Sequence, residues 1–146
     1  MSAITLAEFN RIIAADAPFV PVFGIETVAI GEGTATLRVA QRPDLLRGPR
    51  RDRMAEPVLM ALADLTLYAV VLSHVGPVAL AVTTSMAVDI LEPPGAASVV
   101  AHGRTLKAGA RLVVAAVSIV AEDDGRPIAH CTGTYSLPPP RAAAPV

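Results

Sequence analysis

Asp64 is the residue of this sequence that most needs a chemical explanation. It stands in MALADLTLYAVV, within a run from Val58 to Val75 that is otherwise almost wholly apolar. The length and the Ala and Leu content of that run favour helix over strand. Apolar residues cover nearly its whole circumference, so the helix is expected to be buried on most sides. An ionised carboxylate in such a place is costly unless it is paired or hydrogen-bonded. Its chemical uses are those of a general base, or of a carboxylate nucleophile, at the mouth of a cleft. The structural alternative is a carboxylate at a subunit interface or on an open helix face, bonded to backbone amides.

Other groups could assist it. Thr83, Thr84 and Ser85 form a hydroxyl cluster in VALAVTTSMAVDIL. In a regular strand Thr83 and Ser85 share one face and Thr84 takes the other, although Thr is also simply a good strand former. Arg42, Arg47, Arg50, Arg51 and Arg53 lie within twelve residues, with Asp44 and Asp52 among them. Guanidinium groups bind phosphates bidentately; a solvated loop is the commoner meaning of such a run. Arg104, Lys107 and Arg111 flank Lys107-Ala108-Gly109 and make a second basic patch. His74, His102 and His130 match no metal-ligand spacing. There is neither a GxSxG elbow nor a P-loop.

The elements that must position these groups follow from pattern. Residues 5–15 read as a short amphipathic helix, capped by Thr5 or Ser2, with Leu6, Phe9, Ile12 and Ile13 on one stripe. Pro18 and Pro21 are expected to break any helix after it. Phe23–Ile30 and Thr34–Val39 read as strands joined by Gly31-Glu32-Gly33. Residues 40–55 are expected to form a polar loop, Pro57 suits a first helical turn, and Gly76-Pro77 ends the long helix. Strand-like runs cover Val78–Leu91, Ala97–Leu106, Ala110–Ala121 and Pro127–Leu137, with Asp123-Asp124-Gly125 as a hairpin signal. Short links favour antiparallel neighbours. The expected fold is therefore α+β, an antiparallel sheet wrapped around one long central helix, with a short N-terminal helix. A single domain is expected over 1–137, followed by a loose Pro/Ala-rich tail over 138–146.

Composition narrows the function classes. The chain has 146 residues, 53% of them apolar, and a net charge of −1. That balance argues against disorder and gives no general attraction to nucleic acid. Three Phe, two Tyr and no Trp leave few platforms for stacked bases. Cys131 is the only cysteine, so neither an intrachain disulfide nor a CxxC motif can form. The N-terminus carries Glu8 early and lacks a basic n-region, so it does not read as a signal peptide. The apolar stretch from Pro57 to Leu72 is shorter than a membrane span of roughly 20 residues and holds Asp64 at its middle. These features predict a cytoplasmic protein without membrane or nucleic-acid partners. An apolar short chain also predicts a shared subunit interface.

The sequence resembles the hotdog superfamily, and within it the PaaI-type acyl-CoA thioesterases, over roughly residues 20–137. The most specific piece is ALADLTLYAVVLSHVGPVALAVTTSMAVDILEPP. It is similar to the family's central helix with its acidic residue, then its Thr-Thr strand, then an end here written Ile90-Leu91-Glu92-Pro93. The stretch GRTLKAGARLVVAAVSIVAEDDGRPIAHCTGTYSL resembles the last three strands, closing on a Thr-Tyr pair, Thr134-Tyr135.

The resemblance implies a site. Asp64 matches the catalytic acid that activates or orients water, or attacks directly. Thr83 falls where some members hold that water with Ser or Thr. Glu56 falls where the family usually has glycine, whose backbone N–H polarises the thioester carbonyl at the positive helix end. Ala55-Glu56-Pro57 replaces the usual His-Gly-Gly, and the Glu56 side chain adds negative charge where an oxyanion would develop. The implied activity is hydrolysis of a small or medium acyl-CoA in a groove between subunits of a homodimer or homotetramer. Arg47, Arg50, Arg51, Arg53, Arg104 and Lys107 would meet the coenzyme A phosphates. No cofactor is implied beyond the coenzyme A of the substrate. The competing reading on the same fold is a non-catalytic acyl-CoA binding or sensing module, and a weaker one is a dehydratase or hydratase.

Overall fold

The computed structural model describes residues 1–78, 81–93 and 95–139. Thr5 caps α1 (Leu6–Asp16) through a capping box. The Glu8 amide donates to Thr5 Oγ1, and the Thr5 amide donates to the Glu8 carboxylate. Phe9 and Ile13 are the buried members of the predicted stripe. Pro18 ends the helical run, but Pro21 does not: it lies inside a short second helix, α2 (Phe19–Phe23). In so short a helix the first-turn amides have no intrahelical acceptor, so a residue without N–H costs little there.

The sheet begins with β1 (Ile25–Gly31) and β2 (Thr34–Val39). The arginine-rich loop is more ordered than the sequence suggests. It holds a 3-10 turn, Pro43–Leu45, and a small hairpin of β3 (Leu46–Arg47) and β4 (Arg53–Met54). The long helix α3 spans Glu56–Val75 and stops at Gly76, whose φ of 75° favours glycine. Four strands follow: β5 (Val82–Ile90), β6 (Val99–Ala108), β7 (Leu112–Ala121) and β8 (Pro127–Ser136). Pro138 and Pro139 carry no regular structure, and the rest of the predicted tail lies outside the described residues.

Six strands form one antiparallel sheet in the order β1-β2-β6-β7-β8-β5. It curls around α3, the arrangement that the resemblance implied. By length and composition α3 could cross a membrane, yet 12 of its 20 residues are buried inside the fold. Leu59, Leu62, Leu67, Val70 and Leu72 are among its fully buried side chains. Each such side chain contributes about 1.5–3 kcal/mol relative to exposure.

Two glycines let the helix lie this close to the sheet. A Cβ on Gly103 of β6 would come within 2.8 Å of Thr66 Cγ2 and Val70 Cγ2. A Cβ on Gly133 of β8 would come within 2.4 Å of Leu67 Cδ1. The sheet's β5 edge is covered far less. All nine of its residues are exposed except the half-buried Val88.

Candidate active site

Asp64 lies near the middle of α3 and is only half-buried. The helix around it is built for burial, but Asp64 faces a cavity of about 220 Å³ between α3, the end of α1 and the β5–β8 pair. Ile13, Ala17, Phe19, Leu65 and Tyr68 give the cavity an apolar and aromatic lining, and Asp16 also borders it. The carboxylate is not orphaned. Thr83 Oγ1 donates to Asp64 Oδ1 at 3.0 Å, and the Tyr135 hydroxyl donates to the same oxygen at 3.0 Å.

Thr83 reaches Asp64 because β5 is irregular. Thr83 pairs with Tyr135, but Ser85 pairs with Thr134, so Thr84 is an extra residue in the ladder. Directly opposed residues share a face, and Tyr135 and Thr134 point to opposite faces. Thr83 therefore faces the helix and Ser85 the outer side, which corrects the expectation that the two share a face. A bulge at this position re-aims a side chain beside the site.

Tyr135 was visible in the sequence only as part of a strand-end pair. The residue is 4% exposed, and its ring stacks on Tyr68, with centroids 6.1 Å apart and planes 18° apart. Burial, and then the Asp64 charge beside it, push its phenol far above the usual range, so it stays a donor. A buried Tyr hydroxyl normally finds a partner, and that rule was the available signal. Cys131, also buried, has its thiol pushed up to about 11 by desolvation and then by Asp64 and Asp89. That disfavours the thiolate needed for nucleophilic work.

Glu56 opens α3, followed by Pro57. Arg47 Nη1 donates to its carboxylate at 2.9 Å. The backbone amide of Glu56 itself and then Arg47 hold the carboxyl below the ordinary carboxylate range. The acid thus sits over the helix N-terminus, where the macrodipole favours negative charge. Eight residues separate Glu56 from Asp64, about 12 Å along a helix at 1.5 Å per residue. One protomer therefore does not bring that amide to the Asp64 carboxylate.

The basic residues fall into two separate groups. Arg50 and Arg51 are exposed on the turn between β3 and β4, and Arg51 has a φ of 48°. Arg53 is half-buried, and its Nε has no partner among the described residues. Arg42 is engaged with Asp44 and the Val22 carbonyl. All lie near the start of α3. Arg104 and Lys107 are exposed on β6. Arg104 follows Gly103, which packs against Thr66 and Val70, well along α3. The structure does not join these two groups within one protomer. Among the described residues no His, Cys, Asp and Glu cluster could hold a metal ion.

Residues 54–128, just over half of the chain, match the family model of the thioesterase superfamily. The chain belongs to the thioesterase superfamily. Among solved structures, a candidate thioesterase from a Silicibacter species is 29% identical with a TM-score of 0.84, and the match covers 95% of each chain. A mutant of the phenylacetic acid degradation protein PaaI from Thermus thermophilus is 28% identical with a TM-score of 0.73, covering 83% of this chain and 99% of that one. The Escherichia coli PaaI protein is 18% identical with a TM-score of 0.81, over 94% and 96% of the two chains, and shows the shared fold alone. No curated protein matches the sequence. In thioesterase superfamily terms the fold is a hotdog, with α3 as the enclosed helix and the six-stranded sheet as its wrapping.

Proposed function

We propose that this chain hydrolyses acyl-coenzyme A thioesters, with Asp64 as the acting carboxylate. The observation that carries the proposal is Asp64 itself: a half-buried carboxylate opening on a cavity of mixed apolar and polar lining, with hydroxyl donors, among the described residues, on only one of its oxygens. Superfamily membership supports thioester chemistry. A cavity of about 220 Å³ is smaller than typical pockets for whole drug-sized ligands. It suits the acyl end of the substrate, which favours small or medium acyl groups with the coenzyme A moiety outside.

As general base, Asp64 takes a proton from water while the water oxygen attacks the thioester carbonyl. The carbon–sulfur bond then breaks, and the leaving sulfur receives that proton, giving a free acid and a free thiol. Acting as nucleophile instead, Asp64 would expel the thiolate and form an anhydride that water then opens, with the same net products. The oxyanion needs a donor that the protomer does not place beside Asp64, and the Glu56 amide of a second subunit would supply it once the Glu56 carboxylate, which that amide holds here, swings aside. This favours a homodimer or a dimer of dimers. The exposed β5 edge, with Val82, Met86 and Ile90 uncovered, favours the same reading, because open edges of this length invite pairing. The arginines of the β3–β4 loop would meet the coenzyme A phosphates, and a cytoplasmic location suits that substrate.

The Glu56 carboxylate over the helix end favours a second reading, a module that binds acyl-CoA without hydrolysing it. Asp64→Asn separates the two. It keeps the shape but removes basicity. With free thiol release as the assay, turnover should fall at least ~100-fold, the usual scale for such groups. Acyl-CoA affinity should hold, because the lost interaction belongs to the transition state. Hydrolysis that persists in this variant would refute the role of Asp64. Acyl-CoA binding without turnover in the wild type would favour the module.

A further inference from the structure

We infer that Tyr135 is a positioning residue for Asp64: with Thr83 it fixes Oδ1, so that Oδ2 is the oxygen presented to the substrate. The inference rests on the reading of Asp64 as the reacting carboxylate. Both hydroxyls donate to Oδ1 at 3.0 Å. Oδ2 accepts no hydrogen bond among the described residues. The two donors sit opposite each other on adjacent strands, since Thr83 and Tyr135 are paired in the β5–β8 ladder. Their separation is therefore set by the sheet rather than by flexible side chains.

The Tyr135 ring cannot easily turn away. It is buried and stacked on Tyr68, and Tyr68 in turn packs against Phe9, with centroids 6.0 Å apart. A chain of three rings thus runs from α1 through α3 to the last strand. Its phenol remains protonated, so it acts as a fixed donor. The terminal torsion of an Asp carboxylate is broad and roughly two-fold. Without donors on one side, the two oxygens exchange readily. With both donors on Oδ1, exchange would cost two hydrogen bonds, so Oδ2 keeps its lone pairs free for a proton or for attack. Holding the reacting atom in place is worth large rate factors, and small displacements cost up to about 100-fold.

Tyr135→Phe keeps the ring and its stack but deletes the hydroxyl. Turnover should fall about tenfold with KM changed less than twofold, an effect within the range for misplaced groups. Thr83→Val should behave alike, and Thr83→Ser should recover most of the loss. In an Asp64→Asn background Tyr135→Phe should change the residual rate no further. A second readout needs no turnover: the carboxyl carbon resonance of Asp64 should move in Tyr135→Phe and Thr83→Val and return in Thr83→Ser. Loss of turnover in Asp64→Asn, with kcat unchanged in Tyr135→Phe, would overturn this inference and leave the proposed function standing. Full turnover in Asp64→Asn would overturn both. A rise in KM at constant kcat would make Tyr135 a substrate contact instead. An Asp64 resonance that moves in none of the variants would overturn the clamp whether or not the protein hydrolyses anything.

Discussion

Replacing Gly103 with Ala tests how the sheet positions α3, and its size follows from the geometry. The new Cβ would lie 2.8 Å from both Thr66 Cγ2 and Val70 Cγ2. Carbon atoms prefer separations of about 3.5–4.0 Å, so roughly 1 Å must be found. Neither neighbour can readily rotate aside. Both are β-branched and stiff on a helix, and the Thr66 hydroxyl is tied to the Leu62 carbonyl at 2.7 Å. Helix and sheet must therefore separate, or the variant must bear overpacking of about 1–3 kcal/mol. At about 2.1 cal/mol/K per residue, a chain of this length would lose roughly 3–10 °C in Tm. Differential scanning calorimetry at fixed protein concentration reads the shift. Adding Val70→Ala removes one of the two clashing methyl contacts, so the double variant should lose less than the two single losses summed. In the absence of a clash, Gly→Ala would instead stabilise by about 0.4–1 kcal/mol through the unfolded chain. A Tm that holds or rises in Gly103→Ala would therefore refute the account of helix seating.

Two further predictions concern surfaces. Replacing Arg50 and Arg51 with Ala should weaken coenzyme A binding by about 0.5–1 kcal/mol each, as partly screened charge contacts do, and the loss should shrink as salt rises. Isothermal titration at low and high salt reads this, and unchanged affinity at low salt would leave the loop as a solvated surface. Sedimentation at micromolar concentration should show a dimer or tetramer rather than a ~15 kDa species; Val82→Lys on the outer side of β5 should shift the population toward protomer if that edge is the interface.

The features carried by long periodic signals were legible in the sequence. The apolar run of α3, its stop at Gly76 and the four later strands needed only hydrophobic pattern and turn residues. Asp64 stood out because its type conflicts with its surroundings. What escaped the reading depends on single residues within a pattern. The strand signal around Thr83 is regular, and nothing in VALAVTTSMAVDIL announces an extra residue at Thr84; the partner strand reveals it. In the sequence Tyr135 stands out only as half of the Thr-Tyr pair that closes the last strand, since its role exists only through contact with a helix 71 residues away in sequence. The arginine-rich segment carries no strand signal because its hairpin has strands of only two residues, too short for any periodicity. Pro21 has the sequence mark of a helix breaker, yet a first-turn position absorbs it.

The bulge in β5 acts as a phase slip in an otherwise periodic code. Upstream of Thr84, one parity of positions looks inward; downstream, the other parity does, so that Met86, Val88 and Ile90 share the inward side with Thr83. One strand therefore carries two independent messages, a polar one for the Asp64 cavity and an apolar one for the sheet edge, and each can drift without rewriting the other. A transplant of this site into another sheet would have to carry the surplus residue as well as the hydroxyl, because without it the threonine would arrive on the wrong side.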